Sequence, residues 1–196
     1  VLKACVETGK VDTALVVYNS GSPQELTDMM KKAREAGIGI IAMKTLEGAK
    51  KMKKASGATA AQKAIRWVLD KPFVDSANVG MTSFEEVEEN VKASGMKLSA
   101  LDRLELGRWG AALAGMSCGR CGECRRCARG VAPVEIMRVH MYAALYDRME
   151  TAREEFARMG GRQMLAACTG CGACEKKCPK GMKIRERFAE VAGLLA

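Results

Sequence analysis

Eight of the nine cysteines in this 196-residue chain lie in two short runs in its C-terminal half. Cysteine thiolates are soft ligands that suit zinc and iron–sulfur clusters, and closely spaced cysteines direct several sulfurs at one centre. The first run contains Cys118, Cys121, Cys124 and Cys127, and the second contains Cys168, Cys171, Cys174 and Cys178. These residues indicate metal binding, and electron transfer is the first function that such a site suggests.

The second run has the spacing C-x2-C-x2-C-x3-C and is followed by Pro179, which is the pattern that bacterial ferredoxins use to bind [4Fe–4S] clusters. In that pattern the first three cysteines hold one cluster and the fourth ligates the other. Two runs of four cysteines therefore predict two [4Fe–4S] clusters. The first run departs from the pattern, because Cys127 follows after two residues instead of three and precedes Ala128 instead of proline.

A structural zinc site is the alternative that the cysteines leave open. Such sites use two C-x-x-C pairs separated by a longer loop, whereas here four cysteines fall within ten residues and neither run is directly followed by histidines. Disulfides are disfavoured, because cysteines three positions apart rarely bridge each other and no signal peptide is visible. Cys5 stands alone and is interpreted as a small buried apolar residue.

The formal net charge is +9, and two clusters of about −2 each would reduce it to roughly +5. Two interpretations of this charge stay open: it compensates the anionic clusters, or it forms a docking face for an acidic redox partner. Nucleic acid is not an expected partner. No apolar run is long enough for a membrane span, and a reducing, oxygen-poor cytoplasm is the expected location. Basic residues beside the cysteines are Arg120, Arg125, Arg126, Arg129, Lys176, Lys177, Lys180 and Lys183.

The first hundred residues alternate between short apolar runs and amphipathic segments. The pattern predicts strands at 13–18, 38–43 and 74–79, and helices at 24–36, 58–69 and 83–93. Successive strand–helix units of this kind form a parallel sheet with right-handed crossovers. Three parallel strands leave two open edges, so this segment is interpreted as part of a larger sheet.

The rest of the chain is predicted to be helical around the cysteines. Ser99 and Asp102 open a helix that runs to 114, a long helical region with one possible break covers 133–159, and a last helix covers 184–195. His140 is the only histidine and lies in the long helical region. It is interpreted as a surface or packing residue, because the cysteines already supply the ligands for two clusters.

The order and spacing of several segments resemble the aldo/keto reductase family, and specifically the bacterial branch whose barrel is followed by a ferredoxin-like tail. These segments are 4–12 (ACVETGKVD), 17–19 (VYN), 37–44 (GIGIIAMK), 64–69 (AIRWVL), 79–83 (VGMTS) and 89–90 (EN). The resemblance implies an α/β plus all-α chain. Residues 1–97 would be the last three β/α units of a (β/α)8 barrel, and 98–196 a helical dicluster ferredoxin-like domain.

The resemblance also implies the part of a nicotinamide-nucleotide site that the last β/α units of the barrel supply. A strand-end tyrosine would stack on the nicotinamide, the loop 44–48 would surround the pyrophosphate, and the helix after residue 82 would hold the adenosine end. NADP-preferring relatives place a basic residue near the position of Glu86, which would instead repel a 2′-phosphate and could accept from a ribose hydroxyl. This favours NAD or no nucleotide over NADP, and a helix-capping role explains this glutamate equally well. The expected contacts come from Tyr18, Lys44, Thr45, Gly48, Gly80, Thr82, Glu86 and Asn90.

Two cysteine runs about 40 residues apart with helices between them resemble the two-cluster ferredoxin module found in subunits of respiratory and flavin-linked oxidoreductases. The resemblance implies that each cluster takes three cysteines from one run and the last cysteine from the other. One cluster would be held by Cys118, Cys121, Cys124 and Cys178, and the other by Cys168, Cys171, Cys174 and Cys127.

The expected function is that of an iron–sulfur oxidoreductase, in which the clusters pass electrons between a barrel-bound site and a carrier such as a ferredoxin, a flavodoxin or a flavoprotein. The alternative is an electron-transfer subunit or docking module of a larger redox complex, without reductase activity of its own. The family's catalytic Asp, Tyr, Lys and His belong to the first half of the barrel. None of those motifs occurs here, so no catalytic residue is assigned.

Overall fold

The structure is a computed structural model that describes residues 1–47, 49, 57–125 and 127–195. Its internal contacts divide the chain into two compact units, Val1–Ala114 (unit 1) and Gly115–Ala196 (unit 2). None of the described helices combines the length and the apolar composition that crossing a bilayer requires.

Unit 1 contains a parallel sheet of three strands in the order β1-β2-β3. Leu15 lies opposite Ile41 and Met43 opposite Asn78 in its register. The three predicted strands are present and shorter than expected, and helix α1 is an element that the sequence did not predict. The elements are α1 Leu2–Thr8, β1 Thr13–Val17, α2 Gln24–Glu35, β2 Gly39–Met43, α3 Ala60–Leu69, β3 Ser76–Asn78, α4 Phe84–Val91 and α5 Ala100–Ala114.

The sheet is covered by helices on one face. Ile40 of β2 points to that face and is fully buried with Met30 of α2 and Val68 of α3. Side chains alternate along a strand, so Leu15 and Val17 of β1 lie on the opposite face, where they are 55% and 48% exposed. Parallel sheets are normally covered on both faces. The described residues leave this apolar face open.

The end of α2 shows how local sequence sets the start of β2. Gly37 has φ 83°, a left-handed conformation that glycine adopts without a steric penalty. Its N–H donates to the Arg34 carbonyl and the Ile38 N–H donates to the Ala33 carbonyl, both at 3.0 Å. This pair of bonds is a Schellman motif, and it turns the chain directly into β2.

Helix α5 is tied to α3 by a buried ion-pair network. The Lys63 ammonium, whose side chain is 4% exposed, lies 2.7 Å from Asp102 Oδ1 and 2.9 Å from Glu105 Oε2. Hydrogen bonding to Lys63, together with the N–H and hydroxyl of Ser99, lowers the pKa of Asp102 to about 2, although burial acts against this shift. Ser99 and Asp102 therefore cap α5 and also fix it against α3.

A second contact of α5 needs a glycine. A Cβ atom at Gly110 would overlap the carbonyl of Ser20 in the loop after β1, so only a residue without a side chain permits this approach. Both contacts lie within unit 1. The boundary between the units consequently falls after residue 114, whereas the sequence placed it between 97 and 98, before α5.

Unit 2 is helical, and α6 is its central element because eight of its 12 residues are buried. Its core also contains Phe156 from α7 and Phe188 and Val191 from α10. Short helices α8 and α9, which the sequence did not predict, flank the second cysteine run. The helices are α6 Pro133–Ala144, α7 Met149–Arg158, α8 Gly161–Ala167, α9 Ala173–Lys176 and α10 Ile184–Leu195.

The long helical region predicted at 133–159 is broken once, between α6 and α7. Asp147 takes a left-handed φ of 53°, and the Arg148 N–H donates to the Tyr142 carbonyl at 2.9 Å across the break. His140 of α6 is completely buried, and its Nε2 lies 2.6 Å from Glu190 Oε2 of α10. Of the two roles the sequence considered for His140, the structure therefore shows packing rather than a surface position.

Gly110→Ala should destabilise unit 1, because the new Cβ overlaps the Ser20 carbonyl and the backbone has to move. We expect a loss of about 1–3 kcal/mol in the free energy of unfolding. Urea unfolding followed by tryptophan fluorescence measures it, because the chain's two tryptophans, Trp67 and Trp109, both lie in unit 1.

The matched control is Gly107→Ala in the same helix. Nothing lies within 4 Å of a Cβ at Gly107, and alanine favours a helix interior over glycine by up to about 1 kcal/mol. Unit 1 should therefore keep or gain stability in this variant. Equal unfolding free energies for Gly107→Ala and Gly110→Ala would contradict the close contact.

The Lys63–Asp102 pair predicts a defined acid sensitivity of unit 1. The pKa of Asp102 is depressed in the folded state, so its stabilising contribution is complete above about pH 4 and disappears as the pH falls towards 2. We expect about 1–2 kcal/mol of pH-dependent stability in that window. Asp102→Asn should remove this part of the pH profile, and an unchanged profile would show that the pair does not stabilise the fold.

Candidate functional site

The first cysteine run is held in a tight loop by two left-handed residues. Arg120 has φ 53° and Gly122 has φ 87°. This turn directs the Arg120 N–H to Cys118 Sγ at 3.4 Å, and hydrogen bonds to sulfur are one of the means by which proteins tune iron–sulfur clusters. Three cysteines spaced by three residues thus lie on one loop, separated by residues that reverse the chain.

The second run repeats this backbone conformation. Gly170 and Gly172 have φ values of 66° and 72°, and they occupy the positions that Arg120 and Gly122 hold in the first run. In both runs a backbone hydrogen bond between residues three positions apart closes the turn. The Arg125 N–H donates to the Gly122 carbonyl in the first run, and the Glu175 N–H donates to the Gly172 carbonyl in the second. The two runs are therefore a structural repeat.

The repeat extends through the fourth cysteine of each run. The Gly130 N–H donates to the Cys127 carbonyl at 3.1 Å, and the Gly181 N–H donates to the Cys178 carbonyl at 3.0 Å. A helix begins six residues after each of these cysteines, α6 at 133 and α10 at 184. Cys127 therefore occupies the same structural position as Cys178, despite its different spacing and the missing proline.

A cavity of about 210 Å³ lies between the first run and the end of the second. By comparison, roughly 10–15 Å³ suffices to admit one water molecule, so the cavity has room for a group of several atoms. Four cysteines line it: Cys118, Cys121, Cys124 and Cys178. Apolar walls come from Val134, Met137, Met182 and Ile184, and two basic residues, Arg120 and Lys180, also line it.

The apolar surroundings decide the charge of these thiols. Burial raises the pKa of Cys118, and the nearby thiols of Cys178 and Cys121 act in the same direction. Burial also raises the pKa of Cys124. Without a bound cation these two thiols therefore stay protonated, and a metal centre would supply the positive charge that turns them into thiolates. The donor set and the cavity fit a [4Fe–4S] cluster.

The cysteines expected to form the second set pack against the same core. Cys127, Cys168 and Cys174 are partly buried beside it. Burial raises the pKa of Cys174, and the neighbouring Cys168 adds to this. The N–H of Ala173 instead lowers the pKa of the exposed Cys171. Among the described residues, no three His, Cys, Asp or Glu side chains converge closely enough to hold a single metal ion.

Tyr18 lies in the core of unit 1. Its side chain is 1% exposed, its ring stacks on Trp67 at 5.5 Å between centroids, and Phe73 contacts it edge-on at 6.0 Å. The hydroxyl lies 3.1 Å from Thr27 Oγ1. The structure thus shows a packing role for Tyr18, and its expected stacking on a nicotinamide stays a prediction.

The loop after β2 is organised by two residues that the sequence analysis missed. Asn19 Nδ2 donates to Glu47 Oε2 at 3.0 Å and to the Lys44 carbonyl at 3.3 Å, and both Asn19 and Glu47 are buried. Lys44 itself is exposed with φ 57°, and Thr45 is buried. Gly48 lies outside the described residues. In the sequence Asn19 appeared only within segment 17–19 of the family resemblance, without a role of its own.

Glu86 takes part in the hydrogen bonds at the start of α4. Its carboxylate accepts from the Thr82 N–H at 2.6 Å and from the Thr82 hydroxyl at 3.1 Å, while Ser83 Oγ accepts from the Glu86 N–H. Ser83 is therefore the side-chain cap of α4, and the Glu86 carboxylate fixes the residue before it. Gly80 has open space around its Cα, and Asn90 is buried in α4 with its Oδ1 lacking a hydrogen-bond partner among the described residues.

Two protein-family models match the chain. The model of the 4Fe-4S dicluster domain matches residues 85–182, which is half of the chain, and the model of the aldo/keto reductase family matches residues 22–106. A search of curated proteins gave no match.

One similar solved structure is the holo form of the aldo-keto reductase AKR11C1 from Bacillus halodurans, which is 14% identical with a TM-score of 0.44. The match covers 55% of this chain and 45% of that one, so this chain spans less than half the length of that reductase. With both family models on the same polypeptide, the chain belongs to the 4Fe-4S dicluster domain family and also carries an aldo/keto reductase family domain.

Proposed function

We propose that this chain is the electron-transferring part of an iron–sulfur oxidoreductase, with two [4Fe–4S] clusters that pass single electrons between a barrel-bound site and an external carrier. The observation that carries the proposal is the cavity lined by Cys178 together with three cysteines of the first run. Clusters of this type supply one-electron transfer when bound. The presence of both family domains supports an iron–sulfur oxidoreductase as the general class.

The residues of unit 2 have distinct roles in this proposal. The buried side of the cavity is closed to water by the apolar side chains of Val134, Met137 and Ile184. The Arg120 N–H stabilises charge on Cys118 Sγ. The repeat in backbone conformation supports an equivalent second site, formed by Cys168, Cys171, Cys174 and Cys127.

In unit 1 we propose that the three strands are neighbouring strands of a larger (β/α)8 barrel. The apolar side chains of Leu15 and Val17 face away from the helices and are about half exposed. Both edge strands, β1 and β3, have one unpaired side within the described sheet. Additional strands beside these edges would pair them and close the sheet into a barrel. The face that is open here would then be the inner face of the barrel, where side chains pack against one another.

One set of observations favours a second candidate, in which unit 1 is a docking scaffold without reductase activity. Tyr18 is enclosed in the core and Glu86 accepts hydrogen bonds from Thr82, so neither is presented to a nicotinamide nucleotide in this structure. The two candidates differ in one measurable property. Binding of NADH or NADPH can be monitored by the quenching of Trp67 and Trp109 fluorescence. Nucleotide binding supports the reductase, and no binding up to millimolar nucleotide supports the scaffold.

The cluster assignment predicts about eight iron and eight acid-labile sulfide per chain after anaerobic purification, with an EPR signal after reduction by dithionite. Pairs of substitutions test the crossed ligation. Cys121→Ser/Cys178→Ser removes two ligands of one cluster and should leave about half of the iron. Cys121→Ser/Cys127→Ser removes one ligand from each cluster and should leave much less.

Cys5→Ser is the control, because Cys5 lies in unit 1 outside both runs and should not change the iron content. Equal iron loss in the two double variants would contradict the crossed assignment. Zinc without sulfide in the unsubstituted protein would overturn the electron-transfer function itself.

A further inference from the structure

The segments around the cysteines carry a strong excess of positive charge. Residues 118–130 and 168–185 together contain nine lysines and arginines and two glutamates, a net charge of +7. Two [4Fe–4S] clusters with four thiolates each contribute about −2 apiece, so roughly +3 would remain after both are bound. Neutralising the negative charge of the two clusters therefore does not account for all of the basic residues.

Ion pairs neutralise part of this charge beside the second run. There Arg185 pairs with Glu175 at 2.8 Å and Lys183 pairs with Glu186 at 3.1 Å, while the exposed Lys176 and Lys177 have no carboxylate within ion-pair distance among the described residues. Beside the first run, three exposed arginines have no carboxylate within ion-pair distance in the described part of the chain. These are Arg120, Arg125 and Arg129.

Two of these arginines, Arg120 and Arg125, lie next to the cavity lined by four cysteines. Arg120 lines it, and Lys180 lines it from the second run while its ammonium donates to the Ser117 carbonyl at 2.9 Å. The guanidinium of Arg125 lies over Gly122, within 3.1–3.2 Å of the position that a Cβ would take there. Cys121 is the exposed cysteine of this run. The outer rim of this cavity is therefore positively charged and accessible to solvent.

We propose that this rim, formed by Arg120, Arg125 and Lys180, is the docking surface for an acidic electron-transfer protein, and that electrons enter or leave through the cluster of Cys118, Cys121, Cys124 and Cys178. The proposal rests on the proposed function and deepens it by naming the exchange site and the charge of the partner. Complementary charge accelerates the encounter of two proteins by about 10- to 1000-fold at low ionic strength. The rim places that charge beside the exposed cysteine.

A nucleic acid is the other anionic macromolecule that a cationic surface attracts. Single-stranded nucleic acids also need aromatic side chains on which the bases stack. Neither 118–130 nor 168–185 contains an aromatic residue. The observations therefore favour an acidic protein, and nucleic acid becomes an outcome of the test.

The exchange moves one electron and makes or breaks no bond. When the cluster donates, it passes from the +1 to the +2 state, and the acceptor's metal is reduced by one electron with no proton transferred. An acidic plastocyanin and a basic cytochrome c are suitable probes, because both accept one electron at high potential and their charges are opposite.

The test compares two charge reversals in the full, cluster-loaded chain. Arg125→Glu changes the rim without altering a residue that lines the cavity. Arg153→Glu makes the same change in charge on an exposed residue of α7, outside the segments that contain the cysteines. Iron and sulfide content is measured first for each protein.

Two readouts follow. Stopped-flow oxidation of the dithionite-reduced chain by plastocyanin gives a bimolecular rate, and calorimetry with oxidised chain and Cu(I) plastocyanin gives a dissociation constant without electron transfer. We expect the rim reversal to lower the rate at least about tenfold and weaken binding similarly, and the control reversal to change both less than about threefold. The plastocyanin rate should fall with salt, and the rim reversal should raise the rate with cytochrome c.

Equal effects of the two reversals, or a rate with plastocyanin that does not depend on salt, would overturn the docking surface. Loss of tRNA binding in the rim variant with unchanged plastocyanin binding would assign the rim to nucleic acid instead. A chain without iron and sulfide would show failure of the proposed function. In that case the calorimetric comparison still decides whether the rim binds an acidic protein.

Discussion

The convergence of four cysteines on one largely apolar cavity is the constraint on which unit 2 depends. Cys124 is buried, Cys118 is partly buried and Cys121 is exposed. Burial raises the pKa of Cys118 and of Cys124, so these two thiols stay neutral on their own. A bound cationic centre would convert them to thiolates, and its binding energy would then also stabilise the fold. The helices α6 and α10 supply the apolar wall through Met137 and Ile184.

The internal repeat explains how a small unit can present two sets of cysteines. Left-handed turns reverse the chain between successive cysteines, and a glycine turn after the fourth cysteine leads into a helix that begins six residues later. The helices of the two halves, α6 and α10, then share one core. The arrangement places the end of the second run beside the first, so the cavity needs both halves of unit 2.

Unit 1 follows different rules. Its sheet is stabilised by helices on one face, and the ion pairs of Lys63 and the close approach at Gly110 join α5 to the rest of the unit. The polar contacts between Asn19 and Glu47 connect the loops at the carboxyl ends of β1 and β2. In parallel α/β folds this end of the sheet is where binding sites form. Leu15 and Val17 lie on the other face, which the described residues leave open.

The sequence by itself determined the features that depend on neighbouring residues. Apolar runs gave the three strands, Gly37 set the end of α2, and the cysteine spacing indicated the metal chemistry, because each follows from local backbone geometry. The tertiary structure decided the features that depend on residues far along the chain. It buried Tyr18 beneath α3 and placed Cys127 in the same structural position as Cys178. Burial and partner choice depend on packing between distant elements, which local sequence does not specify.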